Sequence, residues 1–280
     1  MQRLVRTLFT FLLVSCSLAA AAGAPDVRSR SVLVLDRADG HELYARDADQ
    51  PVPIASITKL MSAMVVLDAR QPMDEKLKVT AEDRVCGRGA ASRIPVGAVL
   101  SRADLLHLAL MSSENRAARV LGRNYPGGEA AFVRAMNAKA AQLGMTRARF
   151  VDPAGLSSDN VASARDVGRL VMAAVQYPRI REYSTAESHE VKLGRRLTEF
   201  RNTDSLVRDA AWEVAVQKTG YITEAGKCLA LQARIRGRDV VIVLLNSWGK
   251  YTRVADARRI RKWMEARAAT TAAAGIRAGG

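Results

Sequence analysis

The 280-residue chain contains few of the side chains that build metal centres and disulfide frameworks. Its three cysteines and three histidines are scattered along the sequence: Cys16, Cys86, Cys228, His41, His107 and His189. Neither set has the spacing of zinc ligands or of a disulfide-rich domain. The sequence therefore argues against a metalloenzyme.

Long apolar runs, internal repeats and long linkers are also missing. After the N-terminal segment, no uncharged apolar stretch reaches the roughly 18 residues that a membrane-spanning helix needs. Hydrophobic residues make up 49% and charged residues 25% of the chain, which excludes a disordered protein. We expect one globular domain without a transmembrane span.

Acidic residues are scarce relative to basic ones. The chain has 28 Asp and Glu against 43 Lys and Arg, which gives a net charge of +15. The basic residues are spread along the whole sequence, and no RNA-binding signature with interleaved aromatics is present, so no nucleic-acid partner is expected. The charge instead suits association with anionic polymers or with a membrane surface.

Residues 1–24 are typical of a secretory signal peptide. Arg3 and Arg6 precede an apolar stretch at residues 8–14, and small residues at positions 19–24 offer several cleavage sites. The sequence therefore predicts an exported, periplasmic protein.

Two questions about the cysteines stay open. Leu13-Val14-Ser15-Cys16 resembles the lipobox of bacterial lipoproteins, so Cys16 could carry a lipid anchor instead of being removed with the signal. Export also permits a disulfide between Cys86 and Cys228, although two isolated buried thiols fit equally well.

The hydrophobic pattern predicts strands near both ends of the chain and helices between them. A hairpin is expected at residues 31–35 and 41–45, and later strands at 213–218, 229–236 and 240–246. Helices are expected at residues 55–69, 102–111, 114–123, 129–143, 164–174 and 252–268. We therefore predict an α/β (α+β) fold in which an antiparallel sheet is flanked by helices. A single catalytic domain would span residues 25–268, with an inserted helical subdomain at about 60–175 and a disordered tail at 269–280.

Ser56 and Lys59 stand three residues apart near the start of the first predicted helix. That helix is apolar on nearly all sides, so it should be buried together with Lys59. Burial opposes protonation of an amine, and a neutral lysine can act as a base toward a hydroxyl on the same helical face. Taken alone, S-x-x-K also fits a capping serine followed by a solvent-reaching lysine.

Two further motifs change this interpretation. Ser113-Glu114-Asn115 lies between two predicted helices, and Lys218-Thr219-Gly220 lies at the end of a β-rich stretch. S-x-x-K, S-x-N and K-T-G in this order are the motif set of penicillin-binding proteins and serine β-lactamases, and the chain resembles that superfamily. The stretches PIASITKLMSAMVVLDA, LMSSENRAA and KTGYITEAGKCL are most similar to low-molecular-mass D-alanyl-D-alanine endopeptidases.

Two other matches to these motifs are rejected. Ser247-Trp248-Gly249-Lys250 follows a predicted strand and contains glycine, so its serine does not open an apolar helix. Ser158-Asp159-Asn160 lies 102 residues after Ser56, whereas the family places S-x-N roughly sixty residues after the nucleophile, and Ser113 lies 57 residues after it.

The resemblance implies acyl transfer through a serine ester. Ser56 would attack the carbonyl of a D-alanyl peptide bond, and Lys59 would take its proton. Ser113 would relay a proton to the leaving amine. The backbone N–H groups of Ser56 and Tyr221 would form the oxyanion hole, and the reaction would need no metal or organic cofactor.

The same resemblance implies the substrate contacts. Asn115 would hydrogen-bond the substrate amide, and Lys218 and Thr219 would bind the carboxylate next to the scissile bond. Gly220 would let the substrate backbone approach the strand closely. The expected partners are peptidoglycan stem peptides, with β-lactams as covalent inhibitors.

Several rival functions fit the sequence less well. The absence of a sizeable domain after the last strand favours the endopeptidases over the longer carboxypeptidases, which stay the alternative. Residues 150–161 contain no glutamate for deacylation, which argues against a β-lactamase. No G-x-S-x-G elbow accompanies the three histidines, which argues against a Ser-His-Asp hydrolase. A non-catalytic wall-binding protein is disfavoured by the intact motif set.

Overall fold

The structure, a computed structural model, describes residues 23–84 and 92–278, with side chains described as far as residue 268. The strands are β1 Ser31–Asp36, β2 Glu42–Arg46, β3 Val52–Pro53, β4 Lys76–Lys78, β5 Val99–Ser101, β6 Val161–Ala162, β7 Ser188–Leu193, β8 Arg196–Arg201, β9 Glu213–Ile222, β10 Gly226–Ile235 and β11 Arg238–Ser247. The helices are α1 Thr58–Asp68, α2 Arg102–Met111, α3 Asn115–Arg123, α4 Gly128–Gln142, α5 Ala164–Ala174, α6 Pro178–Thr185 and α7 Thr252–Ala278.

Strands from both ends of the chain form one five-stranded antiparallel sheet in the order β2-β1-β11-β10-β9. Strand β1 lies between β2 and β11 and is fully buried, and its side chains alternate between two cores. Leu33 and Leu35 join a large helical core, whereas Val32 and Val34 join a smaller one on the opposite face. The sheet is therefore covered on both sides, as the apolar pattern of β1 predicts.

Helices flank the sheet on both faces. Helix α7 packs against β10 and β11 and contributes Ala257, Ile260 and Met264 to the smaller core. Helix α5 packs against β1 and β11 on the other face, and α1 lies between α5 and the remaining helices. The predicted fold class, an antiparallel sheet flanked by helices, is confirmed. The helices between residues 58 and 174 share the large core with the sheet, and a separate helical subdomain stays a prediction.

Two regions differ from the sequence predictions. The segment between α5 and β9 contains α6 and the β7–β8 hairpin, which the sequence analysis missed because few of their residues are buried and charged residues separate them. Helix α7 continues to Ala278, where a disordered tail was predicted. Its last residues are rich in alanine, the strongest helix former, and that propensity outweighs the lack of an apolar stripe.

Some predictions fall on residues outside the described ranges. These are the signal peptide over most of its length, the lipobox with Cys16, and Cys86. Cys228 is buried, its Sγ lies 3.6 Å from Ala225 O, and burial raises its pKa to about 11. Over the described residues, no helix has both the length and the apolar character that crossing a bilayer requires.

Candidate active site

A strained turn presents Ser56 at the start of α1. A 3-10 turn at Ala55–Ile57 precedes the helix, and Ala55 has a φ of +48°, in the left-handed region that L-residues rarely adopt. Such strain persists only where the surrounding structure imposes it, and it is concentrated at functional sites. The turn is therefore held in place by its neighbours.

Two glycines let those neighbours approach the turn. A methyl group added to Gly220 on β9 would lie 3.0 Å from both Ile54 O and Ser56 N. A methyl group added to Gly155, whose φ is +77°, would lie only 2.0 Å from Ala55 O. Strand β9 and the 152–157 loop thus touch the turn from two sides; a side chain is excluded at Gly155, and one at Gly220 would require the turn to shift by a few tenths of an ångström.

Lys59 is buried one helical turn after Ser56 and lies at the centre of a polar cluster. Its Nζ lies 2.8 Å from Ser56 Oγ, 2.7 Å from Asn115 Oδ1 and 2.6 Å from Ala154 O. Burial lowers the pKa of Lys59 to about 7, and the charges of Asp152 and Glu114 oppose that shift.

The three neighbours of Lys59 can each accept a hydrogen bond from the protonated amine, and they also suit its neutral form. A neutral amine has two N–H donors and one lone pair. Asn115 Oδ1 and Ala154 O can only accept, so they take both N–H groups. The lone pair is then left facing the Ser56 hydroxyl, which is the geometry that a general base requires.

The Ser113-Glu114-Asn115 segment joins α2 to α3 beside this pair. Ser113 has a φ of +62°, and it lines the same cavity as Ser56 and Asn115. Glu114 is buried and accepts hydrogen bonds from Ser92 Oγ at 2.6 Å and Arg93 N at 3.2 Å. All three residues of the motif line the cavity, and the middle one also anchors the neighbouring loop.

The Lys218-Thr219-Gly220 segment forms the opposite wall on β9. Lys218 is fully buried, and its Nζ donates to Thr219 O at 2.9 Å. Burial and the nearby charges of Lys59 and Arg253 hold the pKa of Lys218 well below its ordinary value. Within the described residues, no hydrogen bond joins Lys218 to Ser113.

The motifs enclose a cavity of about 280 Å³. Its lining includes every predicted site residue except the two buried lysines, which lie behind it: Ser56, Ser113, Asn115, Thr219, Gly220 and Tyr221. Thr203 also lines it, and its Oγ1 lies 2.6 Å from Thr219 Oγ1.

Arg253 is a cavity residue that the sequence analysis missed. It lies in the first turn of α7, and its Nη1 donates to Gly220 O at 2.9 Å and to Cys228 O at 3.3 Å. The guanidinium thus adds a positive charge beside the two buried lysines, Lys59 and Lys218. No local motif surrounds Arg253, so only the packing of α7 on β9 and β10 reveals it.

The loop after α4 is built by Asp152 and Asn160, whose roles the sequence analysis also missed. Asp152 Oδ1 accepts from the backbone N–H groups of Ala154 and Gly155 at 2.7 Å. Asn160 Nδ2 donates to Asp152 Oδ2 at 2.5 Å, and its Oδ1 accepts from Val151 N at 2.8 Å. These bonds fix Ala154 O against Lys59, so this loop positions the amine.

The rejected motif matches have other surroundings. Asn160 is fully buried in the loop just described and does not line the cavity. Ser247 Oγ is buried and lies 2.7 Å from Ser29 Oγ. This hydrogen bond connects the end of β11 to the segment that precedes β1. Neither motif contributes a residue to the cavity lining among the residues that the structure describes.

Histidine does not line the cavity in the described part of the chain. His41 is exposed, while the His107 ring stacks on His189 at 4.0 Å and on Tyr183 at 4.4 Å. His189 Nε2 lies 3.0 Å from Asp104 Oδ1. Burial lowers the pKa of His107 to about 4, so this ring is neutral at pH 7. The sequence did not reveal that His107 and His189 meet.

A serine on a strained turn, a buried lysine facing it and a cationic cavity define an acyl-transfer site of the serine–lysine type. The peptidase S11 family model, described as D-alanyl-D-alanine carboxypeptidase, matches residues 18–249. The chain belongs to this family and is a serine peptidase.

Individual relatives agree with this assignment. The chain is 47% identical to a D-alanyl-D-alanine endopeptidase of Pseudomonas aeruginosa, with 92% of this chain and 86% of that one covered. It is 45% identical to a D-alanyl-D-alanine endopeptidase of Escherichia coli, with 88% and 80% covered. An evolved penicillin-binding protein homologue from Mycobacterium tuberculosis superposes with a TM-score of 0.81 at 26% identity, with 89% and 95% covered.

Proposed function

We propose that this protein is an exported D-alanyl-D-alanine endopeptidase that cleaves peptide cross-links in the periplasm and is acylated by penicillins. The observation that carries the catalytic part is the contact of Lys59 Nζ with Ser56 Oγ, together with two acceptors that occupy both N–H groups of a neutral amine. The endopeptidase assignment is supported by the names of the two bacterial relatives at 45% and 47% identity.

In the proposed acylation step, Lys59 takes the Ser56 proton as Oγ attacks the D-alanyl carbonyl. The backbone N–H groups of Ser56 and Tyr221 then stabilise the oxyanion. Gly220 brings β9 against the Ser56 turn, which supports this arrangement. Ser113, which lines the cavity beside Ser56, passes a proton to the departing amine.

Substrate binding follows from the remaining groups. Asn115 Oδ1 is occupied by Lys59, so its amide N–H groups are left to donate to a substrate carbonyl. Thr219 and Arg253 line the cavity and bind the carboxylate next to the scissile bond, with Lys218 buried behind them. Water releases the acyl group in the second step.

Carboxypeptidase activity is the alternative, because the family model carries that description. The two activities differ in the leaving amine. A carboxypeptidase releases a single D-alanine, whereas an endopeptidase releases a second stem peptide. Both use the same acyl-enzyme, so the residues assigned above serve either reaction.

Cross-linked muropeptide dimers and a pentapeptide monomer distinguish the two activities. We expect the purified mature protein to convert dimers to monomers, and we expect prior treatment with penicillin to block the conversion. Chromatography with mass spectrometry follows both substrates. Loss of only the terminal D-alanine from the pentapeptide would make the protein a carboxypeptidase, and no change in either substrate would contradict catalysis.

A further inference from the structure

Thr203 connects two walls of the active-site cavity. It follows β8 on the segment that leads to β9, and it lines the cavity together with Thr219. Its backbone N–H donates to the carbonyl of Met111, the last residue of α2, at 3.1 Å. Its hydroxyl oxygen lies 2.6 Å from that of Thr219 on β9. Thr203 therefore bridges the end of α2, which leads into the second serine motif, and the strand that carries the carboxylate site.

The residue before Thr203 fixes its position. Asn202 is buried, and its Nδ2 donates to Ser184 O on α6 at 2.9 Å. Its Oδ1 accepts from Gln217 Nε2 on β9 at 2.8 Å and from Asp204 N at 2.9 Å. These hydrogen bonds tie the segment to both elements, so the backbone of Thr203 is held in one place and its hydroxyl is presented to β9.

The hydroxyl groups of Thr203 and Thr219 share one hydrogen bond, and each hydroxyl has a single proton to donate. Thr203 Oγ1 also lies 3.4 Å from Met111 O, a carbonyl that already accepts the backbone N–H of Thr203. At 2.6 Å, the contact with Thr219 is much the stronger of the two. In the described part of the chain, Thr219 Oγ1 has no other hydrogen-bond partner.

A carboxylate bound at Thr219 determines which of the two hydroxyl groups donates. An ionised carboxylate can only accept hydrogen bonds, so the Thr219 proton must point toward it. If Thr219 donated to Thr203 instead, it would turn a lone pair toward the anion and repel it. Thr203 is then the donor within the pair. A hydroxyl that accepts one hydrogen bond becomes a stronger donor in the next, so Thr203 also strengthens the contact between Thr219 and the carboxylate.

We propose that Thr203 is a positioning residue for the carboxylate next to the scissile bond. Its hydroxyl donates to Thr219 Oγ1 and thereby directs the Thr219 proton to the ligand. This inference rests on the proposed function, because that function places the carboxylate at Thr219. Lys218 Nζ donates to the backbone carbonyl of Thr219 and not to its hydroxyl, so the lysine leaves this orienting contact to Thr203.

Thr203→Val keeps the shape of the side chain and removes its O–H. We expect the second-order rate of acylation by benzylpenicillin to fall about three- to tenfold, the effect of one lost hydrogen bond. For D-alanyl peptides the loss should appear in KM, with kcat nearly unchanged, because the contact holds the substrate without touching the bond that breaks. Thr203→Ser retains the donor and should restore the wild-type values. The control is Thr198→Val on β8, outside the cavity lining, which should react at the wild-type rate.

Two comparisons separate this orienting role from a structural one. Benzylpenicillin methyl ester lacks the anion, so Thr203→Val should slow its reaction less than about twofold. In Thr219→Val no hydroxyl is left to orient, so adding Thr203→Val should cause no further loss.

Equal losses on the acid and the ester, additive losses in the double variant, or a Thr203→Ser variant as slow as Thr203→Val would overturn the proposal. A wild type that reacts with penicillin but cleaves no D-alanyl peptide would instead contradict the proposed function. The acylation comparisons would still decide the role of Thr203 in that case.

Discussion

Lys59→Ala is expected to slow acylation by penicillin about 10²- to 10⁴-fold, the range typical of a lost general base. Lys59 Nζ is the nitrogen 2.8 Å from Ser56 Oγ, and its removal leaves the hydroxyl without a proton acceptor. The far-ultraviolet circular dichroism spectrum should stay native, because α1 is embedded in the large core. Lys262→Ala, which removes an exposed lysine of α7, is the control and should react at the wild-type rate.

The pH profile separates a base from a structural lysine. The pKa of Lys59 is lowered to about 7, so the amine is protonated below that pH and cannot accept the Ser56 proton. The second-order acylation rate of the wild type should therefore rise about tenfold per pH unit below 7 and level off above it. The residual rate of Lys59→Ala should lack this step. A flat wild-type profile, or a variant that acylates normally, would contradict the base role.

Gly155→Ala is expected to displace the Ser56 turn. The new methyl group would lie 2.0 Å from Ala55 O and 2.5 Å from Ala55 C, so the backbone next to the nucleophile must move. A displacement of about 1 Å at a reacting group can slow catalysis about 10²-fold, and we expect acylation to fall by that order. The melting temperature should fall by several degrees, because the positive φ of Gly155 adds strain to the clash.

Gly194→Ala provides the matched control. Gly194 has a φ of +61°, but a methyl group added there meets no atom within 4 Å. It therefore reproduces the backbone strain without the collision, and acylation should stay close to wild type. Equal acylation by the two variants would show that the contact between Gly155 and Ala55 does not hold the turn.

The sequence predicted most of the elements because their signals are local. Strand β1 is an apolar run followed by an Asp-Gly turn, and the S-x-x-K helix is apolar on nearly all sides. Helix α6 and the β7–β8 hairpin were not predicted because their buried residues are few and are separated by charged ones. The last part of α7 was not predicted to be helical because it lacks an apolar stripe, although its alanines favour a helix.

The residues of the candidate site also fall into two groups, those with a local sequence signal and those without one. Ser56, Lys59 and the two later motifs could be named because each occupies a few consecutive residues. Arg253 could not, because only the packing of α7 against Gly220 and Cys228 brings it to the cavity. Asp152 was hidden for a related reason: its hydrogen bonds to the backbone of its own loop set the position of Ala154 O, and that effect depends on three-dimensional geometry.

The central claim is that Ser56 forms the acyl-enzyme. The most direct measurement is to incubate the protein with benzylpenicillin, digest it and locate the penicilloyl group by mass spectrometry. The adduct should lie on Ser56, and the Ser56→Ala variant should carry none while keeping its native fold. An adduct on Ser113, the second serine hydroxyl that the motifs bring to the cavity, or one that persists in Ser56→Ala, would contradict the account.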